Sequence, residues 1–272
     1  MRCCSTSLLT LSILLGCRTG SDFGDPEGPR YAAGAPIECR VASDTLRVVS
    51  FNIAFSREID RALEVFATEP ALHCADIMLL QEMDAPGTAR IASSLGMSFV
   101  YYPAIFHRKA KREFGNAVLA RWPIVGDEKI RLPHGSRFAG THRTATAATV
   151  RIRDTLVRVY STHLGTPADI GRAARRRQFQ TIIDDAARHR HVIIGGDMNS
   201  SVVGKIAAEA GYIWPTRSGP WTTSFGRWDH VYLRGLTVPD SGSNGTVRNA
   251  RGSSDHVPIW VLAQLSGGSG AR

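Results

Sequence analysis

The stretch ATAATVRIRDTLVRVYSTHLG, residues 145–165, decides the fold. Two apolar runs flank the turn at 153–155, a connection too short for a crossover helix, so the two runs predict an antiparallel hairpin. A helical pattern follows at 171–189, and HVIIGG at 191–196 is again an apolar run that opens into a glycine turn. A hairpin followed by a strand–helix–strand unit predicts an α/β chain with mixed sheets.

Strands and helices remain interleaved in the rest of the chain. Further strands are expected at 46–52, 76–81, 98–102, 115–121, 228–234 and 256–263. Further helices are expected at 57–68, 86–95 and 201–210. A chain of 272 residues with 43% hydrophobic content suits one large α/β domain, and the sequence contains no internal repeat.

Short polar signatures stand at the ends of these apolar runs. They are FNI at 51–53, QE at 81–82, STHL at 161–164, GDMN at 196–199, WDH at 228–230 and SDH at 254–256. Because each signature borders a predicted strand, one edge of the sheets can collect their side chains.

The residue types in these signatures suit phosphate-ester hydrolysis. The reaction needs a cation on the phosphoryl oxygens, an oriented water and stabilisation of the departing oxygen. The side-chain carbonyl of Asn52 and the carboxylate of Glu82 form the hard oxygen ligand set that Mg²⁺ prefers. Asp229 is the natural carboxylate to orient His256, which would fix the tautomer and raise the basicity of the imidazole.

With these motifs in this order, the chain resembles the endonuclease/exonuclease/phosphatase superfamily of metal-dependent phosphoesterases over residues 46–263. The resemblance implies a four-layer αββα sandwich, with two packed mixed sheets flanked by helices, in a domain at 41–265. It also implies in-line attack of an activated water on a phosphate ester, with Mg²⁺ as the cofactor and Mn²⁺ as the alternative.

The resemblance assigns the metal and the water to particular residues. It implies that Asn52, Glu82 and Asp255 bind the metal. It implies that Asp197 orients or deprotonates the attacking water and that Asn199 binds phosphate.

The remaining candidates contact the substrate or move protons. His163 is expected to bind a phosphoryl oxygen or to protonate the leaving group, and His256, oriented by Asp229, to act as general base or to stabilise the transition state. Asn116 lies in a stretch that resembles the family's central strand motif, and it contacts substrate or opens that strand. Arg143 precedes a strand, where its fork of donors suits phosphate binding.

The N-terminus carries an export signal. Arg2 precedes an apolar stretch at 8–15, which is too short to span a bilayer but suits a signal peptide at 1–16. The run closes as LLGC, which resembles the bacterial lipobox. This implies lipidation of Cys17, a flexible tether at 17–40 and membrane anchoring at the bacterial cell envelope. Cleavage of an ordinary signal peptide is the alternative.

Two cysteines remain in the domain after the signal peptide and Cys17 are set aside. Cys39 and Cys74 either form a disulfide, as an exporting compartment permits, or are two buried thiols. Residues 266–272 are expected to form a flexible tail, and the protein is expected to be a monomer.

Charge and aromatic residues bear on the substrate. The net charge of +9 indicates an anionic partner such as a phosphate, a nucleic acid or an acidic lipid surface, or else a solvated surface. The same two interpretations apply to the basic loop at 108–112. The aromatic residues Trp214, Trp221, Phe225 and Trp228 line the cleft, stack on a base or pack internally.

Three functions are consistent with these observations. A phosphodiesterase or nuclease is favoured by the basic charge, with nucleic acid as a candidate partner. A sphingomyelinase-like or inositol phosphatase-like hydrolase of lipids or small headgroups is favoured by the membrane anchor and by STHL. A catalytically silent envelope protein that binds phosphorylated ligands would be favoured by loss of a metal ligand, and none is lost.

Overall fold

The computed structural model describes residues 20–34, 36 and 45–266. Its larger, nine-stranded sheet comprises β1 (Gly20–Asp22), β2 (Tyr31–Ala33), β3 (Thr45–Asn52), β4 (Ile77–Met83), β5 (Ser98–His107), β6 (Arg112–Ala120), β12 (Leu236–Thr237), β13 (Asn244–Thr246) and β14 (Ile259–Leu265). Its five-stranded sheet comprises β7 (Ile124–Arg131), β8 (Thr144–Ile152), β9 (Thr155–His163), β10 (Val192–Asp197) and β11 (Asp229–Arg234). The α-helices are α1 (Ile59–Thr68), α2 (Ala85–Leu95), α3 (Arg172–Ala186) and α4 (Gly204–Glu209).

Both sheets are mixed. The larger has the order β1-β5-β6-β4-β3-β14-β12, with β2 also on β5 and β13 also on β14, and the smaller has the order β11-β10-β9-β8-β7. The pairs β3–β4 and β9–β10 are parallel, and the other pairs are antiparallel. Strands β8 and β9 form the predicted hairpin around residues 153–155.

The two sheets pack face to face and each carries helices on its outer face. Alternation along β3 places Val49 and Phe51 in a core with α1 and α2, whereas Val48 belongs to the core between the sheets. In β10, Ile193 faces the other sheet and Ile194 packs with α3 and α4. The predicted four-layer αββα sandwich is therefore confirmed.

Strand register brings the polar signatures to one end of the sandwich. Asn52 of β3 pairs with Gln81 of β4, and His163 of β9 pairs with Asp197 of β10, which in turn pairs with Asp229 of β11. We call this end of both sheets the polar rim. It holds the ends of β3, β4, β9 and β10 and the start of β11.

Residues 20–34 do not form the flexible tether that we expected at 17–40. Strand β1 pairs with the end of β5, with Gly20 opposite His107, and β2 pairs farther along the same strand. Arg30 forms an ion pair with Asp127 at 2.6 Å. Backbone hydrogen bonds hold the segment against the edge of the larger sheet, and the ion pair connects it to β7 of the smaller sheet. Its short strands lack the apolar alternation by which strands are predicted.

Several expectations concern residues outside the described ranges. They are the signal peptide at 1–16, lipidation of Cys17 and most of the tail at 266–272. Cys74 is disulfide-bonded, which excludes a free thiol there, but Cys39 lies outside the described residues and its pairing with Cys74 stays a prediction. Within the part of the chain that is described, no helix is long and apolar enough to cross a membrane.

Candidate active site

The amide of Asn52 connects the two sheets at the polar rim. Asn52 closes β3, is fully buried, and accepts a hydrogen bond at Oδ1 from the backbone of Ala54 at 3.1 Å. Its Nδ2 donates to Glu82 Oε1 at 3.1 Å on the neighbouring strand and to Asp197 Oδ2 at 3.3 Å in the other sheet. One amide group therefore holds two carboxylates beside each other.

Glu82 leaves its strand at a β-bulge. The register between β4 and β6 shifts between Gln81 and Met83, and the φ angle of Glu82 is 57°. A left-handed conformation at a residue other than glycine costs on the order of 1 kcal/mol, and such strain concentrates at functional sites. Oε1 of Glu82 lies 3.8 Å from His163 Nδ1. The bulge thus directs the carboxylate toward the other sheet.

Two glycines allow Asp197 to reach the same position. At Gly196 the φ angle is 143°, and a Cβ atom would lie 1.9 Å from the carbonyl oxygen of Thr162 in β9. At Gly195 a Cβ atom would lie 2.5 Å from Leu79 in the opposite sheet. Since these approaches are open only to glycine, β10 lies close to both β9 and β4. Asp197 is consequently buried where the two sheets meet.

His163 is a buried imidazole without hydrogen-bond partners. Its Nε2 lies 3.2 Å from Asp197 Oδ2, yet neither ring nitrogen makes a hydrogen bond. Burial, and then the positive charges of Arg143 and His256, lower the pKa of His163 well below its ordinary value. The ring is therefore neutral, and a neutral imidazole can donate one hydrogen bond to a ligand and accept another.

His256 is paired with Asp229 as predicted from the sequence. Its Nδ1 lies 2.9 Å from Asp229 Oδ2, and its Nε2 lies 3.6 Å from Asp197 Oδ2. Burial alone would lower the pKa of His256, but the carboxylates of Asp229, Asp197 and Asp255 outweigh it and raise the pKa to about 10. The ring is thus a cation at neutral pH, with its Nε2 facing Asp197.

The environment of Asp197 gives it a pKa near neutrality. Burial, and then the nearby charge of Asp229, raise the pKa of Asp197 to about 7, although the charge of His256 opposes the shift. A group that binds and releases a proton near pH 7 suits general acid–base catalysis at that pH. Asp197 lies between His163, His256 and Asn52, so a water bound there would lie within reach of all three.

The side chains of Asn52 and Glu82 suit the divalent cation that was predicted from the sequence. Burial raises the pKa of the Glu82 carboxyl, and a bound cation would compensate the loss of solvation of its charged form. The Asn52 carbonyl and the Glu82 carboxylate are hard oxygen donors. The Nδ2 of Asn52 faces Glu82 here and its Oδ1 accepts from Ala54, so the amide would turn over to bring its oxygen to a cation beside Glu82. Magnesium keeps several waters and often uses only one or two carboxylates. The described residues contain no group of three or more His, Cys, Asp or Glu side chains that could hold a metal.

Asp255, the third predicted metal ligand, lies farther out. Its side chain is exposed, and its Oδ1 lies 3.4 Å from Ser254 Oγ, which donates to it. The charge of Asp255 raises the pKa of both Glu82 and His256. The residue is therefore on the polar rim beside the site, without a direct bond to Asn52 or Glu82.

Two predicted substrate contacts also position backbone. Asn199 Nδ2 donates to the carbonyl of Leu164 at 2.9 Å, and its backbone N–H donates to Asp197 Oδ1 at 2.8 Å. Asn116 Nδ2 donates to the carbonyl of Thr144 at 2.7 Å, which joins the two sheets, while its Oδ1 is buried without a partner. Both asparagines thus shape the rim in addition to any contact with substrate.

An aromatic wall that the sequence analysis missed stands beside His163. We define this wall as Phe55, His107 and Phe114. The ring centroids of Phe55 and Phe114 are 5.2 Å apart, those of Phe55 and His107 are 5.1 Å apart, and Phe114 lies 5.4 Å from His163. One feature of the sequence indicated this wall: Phe55 comes three residues after Asn52, so its side chain must lie near the site.

Arg143 lies between the aromatic wall and the carboxylates. Its guanidinium carbon is 4.7 Å from the centroid of Phe114, and its Nη1 is buried without a hydrogen-bond partner. The positive charge of Arg143 lowers the pKa of Glu82 and of His163. A buried guanidinium nitrogen without a partner is a ready donor to an anionic ligand.

Comparisons with known proteins agree with this description. The endonuclease/exonuclease/phosphatase family model matches residues 49–256. No curated protein matches the chain. An endonuclease/exonuclease/phosphatase from Beutenbergia cavernae is similar in structure, with 22% identity over 82% of this chain and 72% of that one, and a TM-score of 0.65.

Two similar structures have more specific names. The structure of D. rerio TDP2, complexed with a single-strand DNA product, is 16% identical, and the match covers 82% of this chain and 100% of TDP2 with a TM-score of 0.65. The human Nocturnin catalytic domain, with a bound sulfate anion, has 17% identity, covers 87% and 97%, and has a TM-score of 0.63. At these identities the likeness shows the fold alone, whereas the family model spans most of the chain and all six polar signatures. The chain therefore belongs to the endonuclease/exonuclease/phosphatase family.

Proposed function

We propose that this protein is a divalent-metal-dependent phosphodiesterase that hydrolyses its substrate by in-line attack of an activated water. The observation that carries the proposal is the buried, neutral ring of His163, whose two nitrogens have no partner although Glu82 and Asp197 lie within 4 Å. Burying polar atoms without partners costs free energy, so such atoms in a cleft of charged groups mark the place of a ligand.

Each side chain has a distinct task in this proposal. Asp197, with a pKa of about 7, accepts the proton of the attacking water. His163 donates a hydrogen bond to a phosphoryl oxygen, and the His256 cation, held by Asp229, stabilises the negative charge that develops in the transition state. Asn52 and Glu82 would hold Mg²⁺ or Mn²⁺, which supplies Lewis-acid polarisation of a phosphoryl oxygen when bound.

The aromatic wall favours a diester over a monoester. Phe114 lies 5.4 Å from His163, the partly exposed Phe55 packs on Phe114, and Arg57 lies 4.9 Å from the ring centroid of Phe55. A monoester has one organic substituent, whereas a diester has a second one that needs its own surface next to the phosphorus. Apolar rings flanked by guanidinium groups provide such a surface.

The test is hydrolysis of bis-p-nitrophenyl phosphate by the full chain with Mg²⁺ or Mn²⁺, followed by addition of chelator. We expect turnover that chelator abolishes and that exceeds turnover of p-nitrophenyl phosphate. The opposite preference would assign a monoesterase of the inositol phosphatase-like kind. Phosphate binding without turnover of either compound would assign the catalytically silent alternative.

The proposal includes a location at the bacterial cell envelope through a lipid on Cys17, which lies outside the described residues. The sequence support is the LLGC motif after a short apolar run. Mass spectrometry of the N-terminal peptide would detect acyl chains on Cys17, and Cys17→Ser would lose them and retain activity. An unmodified cysteine, or a chain that begins after it, would contradict the anchor.

A further inference from the structure

We propose that the polar rim is a docking face for an anionic phospholipid bilayer. The active site would then face the lipid headgroups. This inference concerns binding and stands on the surface of the rim, so it does not depend on hydrolysis.

The most exposed large apolar side chains of the described residues are all aromatic. Phe225, Phe138 and Trp221 are 77%, 69% and 64% exposed. Phe225 is stacked on Trp228 at 5.7 Å between ring centroids, which presents a broad apolar surface to solvent. Exposed apolar area of this kind marks surfaces that contact a partner or a membrane.

All three side chains lie on loops of the polar rim. Phe138 belongs to the loop between β7 and β8, whose flanking residues Arg131 and Thr144 pair at the rim end of the sheet. Trp221 and Phe225 belong to the segment just before Asp229, the first residue of β11. The two loops thus stand on opposite sides of His163 and Asp197, and the aromatic side chains flank the site.

Positive charge accompanies these aromatic residues. The guanidinium of Arg137 lies 4.9 Å from the ring centroid of Phe138. The turn between β5 and β6, at the same rim, carries exposed Arg108, Lys109 and Lys111 without an acidic residue among them. Basic side chains are attracted to an anionic membrane surface, and aromatic rings favour the interface between headgroups and acyl chains.

The path of the chain places its N-terminal end at this rim. Gly20 of β1 pairs with His107, which belongs to the aromatic wall. Cys17 lies outside the described residues, but it is only three residues before Gly20, so their Cα atoms are at most about 11 Å apart. A lipid on Cys17 would therefore hold the polar rim at the bilayer, whereas the flexible tether that we expected would have allowed any orientation.

The arrangement favours a bilayer over a nucleic acid. Single-strand binding grooves align aromatic rings along one basic track. Here the exposed rings occupy two loops on either side of the site, as on a face that contacts an extended surface. A lipid on Cys17, only three residues before Gly20, would bring this face to a membrane. The same short distance gives no support to a nucleic-acid partner.

Depth-dependent quenching of tryptophan fluorescence tests the proposal. The full chain is reconstituted into vesicles of equal parts phosphatidylcholine and phosphatidylglycerol, with or without brominated acyl chains. Phe225→Trp and Phe138→Trp report on the two rim loops. Leu156→Trp is the matched control, because Leu156 is also an exposed apolar residue, 53% exposed, but lies at the opposite end of β9. Subtracting the fluorescence of the wild type from that of each variant gives the emission of the added tryptophan.

We expect brominated lipid to quench the added emission of both rim reporters and to leave that of Leu156→Trp unchanged. Equal quenching at all three positions, quenching only at Leu156→Trp, or quenching at none would overturn the docking face. A response of the rim reporters to single-stranded DNA without any response to brominated lipid would assign the face to nucleic acid. A catalytically inactive protein that passes the quenching test would refute the proposed hydrolysis and leave the docking face intact.

Discussion

Nε2 of His163 lies 3.2 Å from Oδ2 of Asp197, at the ends of two adjacent parallel strands. The pairing of β9 with β10 places the two side chains in register, and Gly196 allows the close approach of their backbones. One residue is a neutral imidazole and the other a carboxyl group with a pKa of about 7. This juxtaposition combines a hydrogen-bond donor with a proton acceptor at one point.

The role of Asp197 as proton acceptor is tested by Asp197→Asn. The amide keeps the shape of the side chain but cannot take a proton at neutral pH, so we expect turnover to fall by about 10²–10⁴-fold. The protein should still fold, since asparagine can accept the backbone hydrogen bond now made to Oδ1, although its Nδ2 cannot accept the hydrogen bond that Asn52 donates to Oδ2. Asp154→Asn, in the turn between β8 and β9, is the control and should keep full activity. An Asp197→Asn enzyme with wild-type turnover would remove Asp197 from the mechanism.

The positive charge of His256 depends on Asp229. In Asp229→Asn the amide oxygen can still accept from Nδ1, but the negative charge is lost, so we expect the pKa of His256 to fall well below about 10. Turnover at neutral pH should fall by about 10–10³-fold as the cation is lost. Nitrogen-15 NMR titration of the imidazole measures the pKa directly. A pKa that does not move would show that other groups hold the charge.

Gly196 is predicted to be irreplaceable. An alanine there would adopt a φ angle of 143° and place its Cβ atom 1.9 Å from the carbonyl oxygen of Thr162. We expect Gly196→Ala to lower the free energy of unfolding by more than about 3 kcal/mol, or to prevent folding. Gly126→Ala is the control, because its Cβ atom would meet nothing closer than 4.0 Å. Equal free energies of unfolding for the two variants in urea would contradict the claim that β10 approaches β9 too closely for a side chain at position 196.

His230 should make the fold sensitive to acid. It is fully buried, Trp214 Nε1 donates to its Nδ1 at 3.1 Å, and burial lowers its pKa from 6.5 to about 4. The unfolded chain binds this proton more readily than the folded one, so protons favour unfolding. The stabilisation is fully present above pH 6.5 and is lost as the pH falls toward 4, by up to about 3 kcal/mol.

The measurement is the free energy of unfolding across this interval for wild type and His230→Gln. Asp197 contributes with the opposite sign because its pKa is raised, so the difference between the two proteins isolates His230. We expect the wild type to lose more stability than the variant on acidification. Exposed His134→Gln should follow the wild type. Parallel curves for wild type and His230→Gln would contradict the buried neutral state of the ring.

The strands that carry the site could be predicted because polar residues end apolar runs. Strands β3, β4, β9 and β10 were all expected near their observed positions. In contrast, β7 was missed, because it is an edge strand in which charged residues and Gly126 interrupt the apolar pattern. Strand β1 was missed because it has only three residues, too few to show an alternation of apolar and polar side chains.

Contacts between the two sheets could not be predicted from the sequence. Gln81 Nε2 donates to Ser161 Oγ at 3.0 Å, and this hydrogen bond joins β4 to β9 beneath the site. Such a contact depends on how two sheets are stacked, whereas periodicity describes one strand at a time. The aromatic wall was missed for a related reason: Phe55 follows β3 and Phe114 lies in β6, and these two strands are not neighbours in the larger sheet or in the sequence. The bulge at Glu82 likewise has no signal in the sequence.

The central claim is that Asn52 and Glu82 hold the cation that activates the substrate. The most direct measurement is the rate of bis-p-nitrophenyl phosphate hydrolysis as a function of Mg²⁺ concentration for wild type and Glu82→Gln. Because glutamine keeps the shape and removes the charge, we expect half-maximal rate at a Mg²⁺ concentration about 10–100-fold higher, with the fold retained. Superimposable curves for the two proteins, or hydrolysis that persists in chelator, would contradict the claim.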